Sequence, residues 1–542
     1  MNTLLLPVAL LLPWLVGAVA LRPLRLRLGL NTAGWLGYGY FFGAALLTAC
    51  AFFAALWPWL ATTPGLTLSL AALTLAAYLG AKRAAQLLPA AVPHALPPAT
   101  RCDRWLTLFL LILLALHLGF SAFELYWRPV FPWDAWQTWA YTAKAWYFNG
   151  APIDMLPPKQ WHTLTSDIHY TVQGHQYPWL VPAQSWWLAR VLGSWQETRA
   201  VWPALPAAIA LGLALWGQAV AATRLRLTGP LAAWLLLSLP LVLTHISLAG
   251  YADLWLAGFS RLGLIAIARG LLEAHRGQLL LGLTALALGL LVKHDAIIWL
   301  TCGLLLIGLL RLRHMAVATT AFTGALLLGL LVIGLSRLGL QLHFDVTRYA
   351  ELLWLADSWH LLWYLLPGAL LLALLPRSPA RAAAKTLGLL LAILLASQLL
   401  LFGATNAGNW VSTAASRLLL QVSPLLVFAL VYIAGAGAKA VPTRHRWRSA
   451  MALVAGSLCL LLLVGTWLLL SANPNNKPAT ALELKAPQLL AVAGPLRRHY
   501  SRLVLPAAAN GHAIVSTGPV QFDAAAFDLL NVDIGGTGQN KQ

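Results

Sequence analysis

Runs of about twenty apolar residues recur from the start of this chain to beyond residue 470, and no other feature restricts its fold as strongly. A run of that length spans the hydrocarbon of a bilayer as an α-helix. Lipid offers the backbone no hydrogen-bond partners, so each run is expected to be helical. Composition agrees: 542 residues that are 60% hydrophobic and 10% charged leave too few polar side chains to cover several soluble domains. The expected fold class is an all-α polytopic membrane protein. Spans are predicted near 4–20, 33–57, 64–80, 105–126, 200–222, 229–247, 250–269, 278–293, 296–310, 315–336, 359–376, 385–403, 411–436 and 449–471. The stretch 278–310 also reads as one broken helix.

The formal charge of +20 does not indicate nucleic acid, because the basic residues sit in short clusters between apolar runs. There they orient helices and meet anionic headgroups. One set of connections is short and basic: LRPLRLRL, AKRAAQ with RCDR, TRLRL, RGLLEAHRG, RLRH, RSPARAAAK and AKAVPTRHRWRS. The alternate set holds most of the acids, histidines and interfacial aromatics, including Asp134, Asp154, Asp167, His169, His175, Asp253, Lys293, Asp295, Asp345, Glu351, Asp357 and Arg417. By the positive-inside rule the basic set is cytoplasmic, and any chemistry is expected on the other side. The first run ends in Ala-Val-Ala but lacks a basic leader, and Arg22, Arg25 and Arg27 follow it; it is expected to be an uncleaved span with its N-terminus outside. Cys50, Cys102, Cys302 and Cys459 are far apart with no CxxC pair, which argues against a disulfide framework or a thiolate metal site.

Three regions are expected: extra N-terminal spans with a cytoplasmic loop over 1–104, a transmembrane domain over 105–471 with a long outer loop at 127–199, and a small outer extension over 472–542. The long loop carries nine tryptophans, from Trp133 to Trp195, which suits segments lying in the headgroup layer. WDAWQTWAYTAKAWYF reads as an interfacial amphipathic helix and SWWLARVLGSW as another.

Ionisable groups beside the apolar phase are costly, so each is a functional candidate. Asp134 in FPWDAW is either a helix N-cap or a reactive carboxylate. Asp253 in GYADLW, with His245 nearby, is slightly better read as a cap, although both could bind a metal or a hydroxyl. Lys293 and Asp295 in LLVKHDAIIW neutralise one another, or Lys293 holds a phosphate. His169 and His175 lack zinc-ligand spacing; with Asp167 they shape a polar pocket or lie in a solvated loop. Arg417 either snorkels to headgroups or clamps a lipid phosphate.

WDAWQTWAYTAKAWYFNG followed by HQYPWLVPAQSWWLARVLGSW resembles the first outer loop of bacterial GT-C glycosyltransferases, and GYADL, VKHDA and SRLLLQVSP resemble later landmarks of that group. The similarity runs over roughly 105–436 and points to the protein mannosyltransferase and aminoarabinose transferase enzymes. It implies a GT-C-like bundle that moves one sugar from a polyprenyl-phosphate carrier to a lipid, glycan or protein acceptor, with inversion. It also implies that the site lies outside the bacterial cytoplasmic membrane. Carried over residue by residue, Asp134 is the base and Asp253 the second catalytic acid. Lys293, Arg417, His245, Asp295, His175 and Tyr177 face the substrate. Many relatives have an Asp-Glu pair where this chain has Asp134-Ala135, so a divalent cation (Mg or Mn) on Asp134 and Asp253 is in doubt. A lipid-linked glycan transporter or flippase, or an O-antigen ligase or polymerase, are the alternatives.

Overall fold

The computed structural model describes residues 5–89, 96–130, 134–161, 170–172, 174–311, 351–355, 358–374, 378, 380–404 and 411–440, with short strands between 489 and 517. Trp133, Asp167, His169, Asp345, Asp357, Cys459 and the spans expected at 315–336 and 449–471 lie outside the described residues. The chain forms two compact units, Met1–Ser457 and Leu458–Gln542.

The first unit is an all-α polytopic membrane protein, as its apolar runs require. Among the described residues eight helices are long and apolar enough to cross a bilayer, or nine if one bent pair counts as a span. In chain order the helices are α1 (Leu5–Leu21), α2 (Thr32–Leu56), α3 (Thr63–Leu87), α4 (Arg101–Trp127), α5 (Ala140–Asn149), α6 (Pro158–Trp161), α7 (Leu180–Leu192), α8 (Ala204–Thr223), α9 (Thr228–Leu237) and α10 (Pro240–Ser247). They continue as α11 (Asp253–Leu272), α12 (Arg276–Gly289), α13 (Ala296–Arg311), α14 (Leu362–Leu374), α15 (Arg381–Ala404) and α16 (Val411–Ala440). The stretch 278–310 is thus two helices separated by residues 290–295.

The first three helices belong to the same compact unit as the rest. Small residues let α1 and α2 nearly touch: a Cβ on Gly43 would lie 1.6 Å from the Pro13 carbonyl oxygen. Close backbone approach of this kind is the usual basis of helix association in lipid. α2 meets α8 in the same way, where a Cβ on Gly37 would lie 2.2 Å from the Ala214 nitrogen. At the bundle centre α11 is buried over 94% of its span window, whereas α4 is only 11% buried and presents Phe109, Ile112, Leu116 and Phe120 outward.

One expected span is broken. α9 and α10 meet at 67°, with Pro240 opening α10. A break inside a bilayer must satisfy the backbone groups it frees. Here His360 Nε2 donates to the Ser238 carbonyl at 2.9 Å, and Leu241 N donates to Ser358 O at 3.4 Å.

The long loop also departs from expectation at SWWLARVLGSW. This segment belongs to α7, whose residues from Leu180 to Ala189 are all buried. Trp187 Nε1 donates to Ala9 O at 2.8 Å and Gln184 Nε2 to Ala44 O at 3.1 Å, so α7 packs against α1 and α2 rather than presenting a free amphipathic face. Pro13, four residues after Ala9, has no N–H to offer the Ala9 carbonyl, and Trp187 supplies the missing donor.

The second unit contains two short antiparallel pairs, β1 (Leu489–Ala493) with β4 (Ile514–Thr517), and β2 (Arg497–His499) with β3 (Arg502–Val504).

Candidate active site

Four segments far apart in sequence supply the charged wall of one cavity of about 250 Å³. Asp134 begins the helical stretch that leads through a π-turn (Ala135–Trp139) into α5, and its side chain makes no capping hydrogen bond. It accepts instead from Arg417 Nη1 on α16. The slight preference for Asp253 as a helix cap is likewise corrected. Asp253 is the first residue of α11 but caps nothing; its carboxylate accepts from Gln421 Nε2 at 2.8 Å and lies 3.6 Å from Lys293 Nζ. A buried carboxylate needs charge and hydrogen-bond partners, and Lys293 and the Gln421 amide supply them.

The two acids differ in access. The Asp134 side chain is 38% exposed and that of Asp253 only 3%. Asp134 is therefore open to a ligand, while Asp253 acts from within the wall. Lys293 also pairs with Asp295 at 3.3 Å. Burial works against its charge, but Asp253 and Asp295 outweigh burial and hold the ammonium above its ordinary range. Arg417 lies over the Tyr251 ring, 5.0 Å from its centre. Burial lifts the Tyr251 phenol above its ordinary value; Arg417 opposes that shift, and Asp134 and Asp253 add to it.

The other polar and aromatic side chains lining the cavity are uncharged: Gln137, Thr138, Trp139, Gln176 and Tyr177. A tight turn carries the last two. Tyr177 N donates to Gly174 O at 3.0 Å, and His294 Nε2 bonds the Gln176 carbonyl at 2.8 Å, so the turn is tied to the connection that bears Lys293. Leu180 N to Leu291 O at 3.0 Å adds a second tie. Gly174 is needed where it stands, because a Cβ there would lie 2.6 Å from both Thr138 Cγ2 and Tyr177 Cδ2. Tyr177 in turn packs on Trp139 with ring centres 4.9 Å apart.

Of the expected site residues, Asp134, Asp253, Lys293, Arg417 and Tyr177 line this cavity, and three do not. Asp295 sits behind Lys293. His245 is buried behind Tyr251, its ring centre 5.5 Å away, with Nδ1 on the Leu241 carbonyl at 2.8 Å. His175 faces a neighbouring void of about 10 Å³ that shares Thr138, Gly174 and Tyr177 with the main cavity. Its Nδ1 has no partner among the described residues. A void that small holds about one water.

No protein-family model, curated protein or solved structure matches this chain. The reading of the site therefore rests on its own chemistry. Among the described residues no three His, Cys, Asp or Glu side chains gather as a metal site. Asp134 and Asp253 are both already compensated by cations, so this donor set does not suit a divalent ion.

Sequence reasoning also passed over Arg261. It lies near the middle of α11, fully buried, with its guanidinium 3.8 Å from the centre of the Trp299 ring and Nε donating to the Gln421 carbonyl at 2.8 Å. A lone arginine inside FSRLGL is itself a signal in an apolar segment. It ties α11 to α16 through the same residue, Gln421, that holds Asp253.

Proposed function

We propose that this chain is a membrane glycosyltransferase that passes one sugar from a polyprenyl-phosphate carrier to a hydroxyl acceptor on a lipid, glycan or protein. The observation that carries the reading is the convergence of Asp134, Asp253, Lys293 and Arg417 on one cavity. Transfer from a sugar phosphate needs a base for the acceptor and positive charge for the leaving group, and this wall offers both. The resemblance of the surrounding motifs to GT-C enzymes supports the same assignment. On this reading the site faces the outside of a bacterial cytoplasmic membrane.

In the proposed reaction the acceptor oxygen attacks the anomeric carbon, and its proton passes to the Asp134 carboxylate. The bond from that carbon to the phosphate oxygen breaks, and its electron pair leaves on the phosphate. Lys293 and Arg417 neutralise the charge that develops there. Asp253, buried and held by Gln421, keeps Lys293 in position. Arg417 links the two halves, since it holds the base before the carrier arrives and the phosphate afterwards.

A lipid-linked glycan transporter is the second reading, and Arg261 is the observation on its side, because transporters place ionisable groups at mid-span. Trp299 covers that guanidinium, however, and the cavity lies at helix ends. The deciding experiment measures sugar release from a panel of polyprenyl-phosphate monosaccharides by the purified protein and by Asp134→Asn. Release that is lost in a folded Asn variant supports the transferase. Equal release in both removes Asp134 from catalysis, and carrier binding without release across the panel favours transport.

A further inference from the structure

The glycosyltransferase reading leaves the sugar open, and the cavity narrows it. The charged groups of the cavity are already paired with one another. Asp134 is engaged by Arg417, and Asp253 and Asp295 by Lys293. A carrier phosphate would draw on the same two cations. Among the described lining residues no further cation remains to pair with an acidic sugar.

The uncharged part of the lining offers two side-chain amides, Gln137 and Gln176, a hydroxyl, Thr138, and the rings of Trp139 and Tyr177. Amides both donate and accept, which matches hydroxyl groups on a sugar ring. Flat aromatic faces suit the apolar face of the same ring. Among the described lining residues both carboxylates, Asp134 and Asp253, are already engaged by Arg417 and Lys293, and an ammonium enclosed without a partner is costly. Size restricts the ligand as well. Drug-sized ligands occupy pockets of about 300 to 1,000 Å³, so a cavity of about 250 Å³ has room for one ring and not for an oligosaccharide.

We propose that the transferred group is a single uncharged sugar whose hydroxyls are read by Gln137 and Gln176. The proposal rests on the transferase reading. The selectivity follows from the way polar sites discriminate: a site built to hydrogen-bond a substrate leaves its own groups unpaired when the wrong one enters. Gln176 is held for this role by its backbone, through the His294 contact to its carbonyl, which leaves the side chain to the cavity.

The test is a donor panel with the full-length protein in detergent: undecaprenyl phosphate bearing glucose, glucosamine with its free amine, glucuronic acid or a glucose disaccharide. Wild type is expected to release glucose with kcat/KM at least about tenfold above each of the others. Gln176→Glu and Gln137→Glu are expected to narrow the gap between glucose and glucosamine by about tenfold, because each places a carboxylate where the amine would lie. A charged sugar or the disaccharide used as well as glucose by wild type overturns the inference and leaves the transferase reading standing. A glucose preference unchanged in both variants removes the two glutamines as its source. No release from any donor overturns the transferase reading beneath it. Should either variant fail to fold, the wild-type panel alone still decides the charge and size of the sugar.

Discussion

Arg417 reaches across 283 residues of sequence to donate a hydrogen bond to Asp134. The proposed base and the proposed phosphate clamp therefore hold each other, and on that reading a carrier phosphate competes with Asp134 for the guanidinium. Asp134→Asn removes that competition. It is expected to bind undecaprenyl phosphate about tenfold more tightly than wild type, about 1.4 kcal/mol, while losing turnover by about 10² to 10⁴. Arg417→Ala is expected to lose both affinity and turnover, and Arg417→Lys to recover only part, since an ammonium lacks the planar fork. Carrier affinity unchanged in Asp134→Asn, measured by equilibrium binding, would show that the ion pair does not gate the phosphate.

Gln421 is fully buried and spends its side-chain N–H on Asp253. Gln421→Leu leaves that carboxylate one donor short in an enclosed place, at a cost of about 1–3 kcal/mol. Gln421→Glu sets a second carboxylate at hydrogen-bond distance and is expected to cost more. Thermal unfolding in detergent should therefore rank wild type above Gln421→Leu and Gln421→Glu lowest. Equal stabilities would mean that Lys293 alone secures Asp253.

Nine of the fourteen expected spans, counting the bent α9–α10 pair as one, and the charged residues of the cavity were legible for one physical reason. Apolar length and isolated charge both carry large transfer free energies, so they stand out in a single sequence. Asp134, Asp253, Lys293 and Arg417 interrupt apolar or aromatic stretches and announce themselves. Gln137, Thr138 and Gln176 do not, because an uncharged polar residue in a loop costs nothing that composition can register. His245 carried a signal but does not line the cavity; one turn beyond Leu241, its Nδ1 rests on that carbonyl, and its Nε2 has no partner among the described residues. The burial of α7 was hidden because its tryptophans suit a headgroup layer and a helix interface equally well. Burial of the helix and the Trp187 N–H bond to the Ala9 carbonyl separate the two.

A pH effect is expected at the other end of the bundle. His275 caps α12, its Nδ1 accepting from Gln278 N at 3.2 Å, and burial, helped by Arg269, pushes its pKa below the ordinary value. The neutral ring is thus the form that folding favours. Its contribution is present above the unfolded value of about 6.5 and is lost as the pH falls from there toward the lowered folded value. Wild type should lose thermal stability between about pH 7 and about pH 5. His275→Asn, which caps without titrating, should lose less over the same interval. Parallel curves for the two proteins would assign the acid sensitivity elsewhere.

Sidedness is the premise on which the proposed chemistry stands, and the two candidate faces carry exposed positions suited to a direct test. Gln176 lies on the cavity turn, whereas Arg226 sits in the basic TRLRL connection between α8 and α9 with Nε on the Pro97 carbonyl. On the positive-inside reading the first is expected outside and the second in the cytoplasm. In a variant with all four native cysteines replaced, Gln176→Cys should react with a membrane-impermeant maleimide in intact spheroplasts. Arg226→Cys should react only after the membrane is opened. The reverse pattern would place the cavity in the cytoplasm, where a base and phosphate clamp would meet soluble nucleotide sugars, and the polyprenyl-phosphate donor would have to be abandoned. Labelling at position 176 alone keeps the carrier, the acceptor and the outward-facing cavity on one side of the membrane, as the transfer requires.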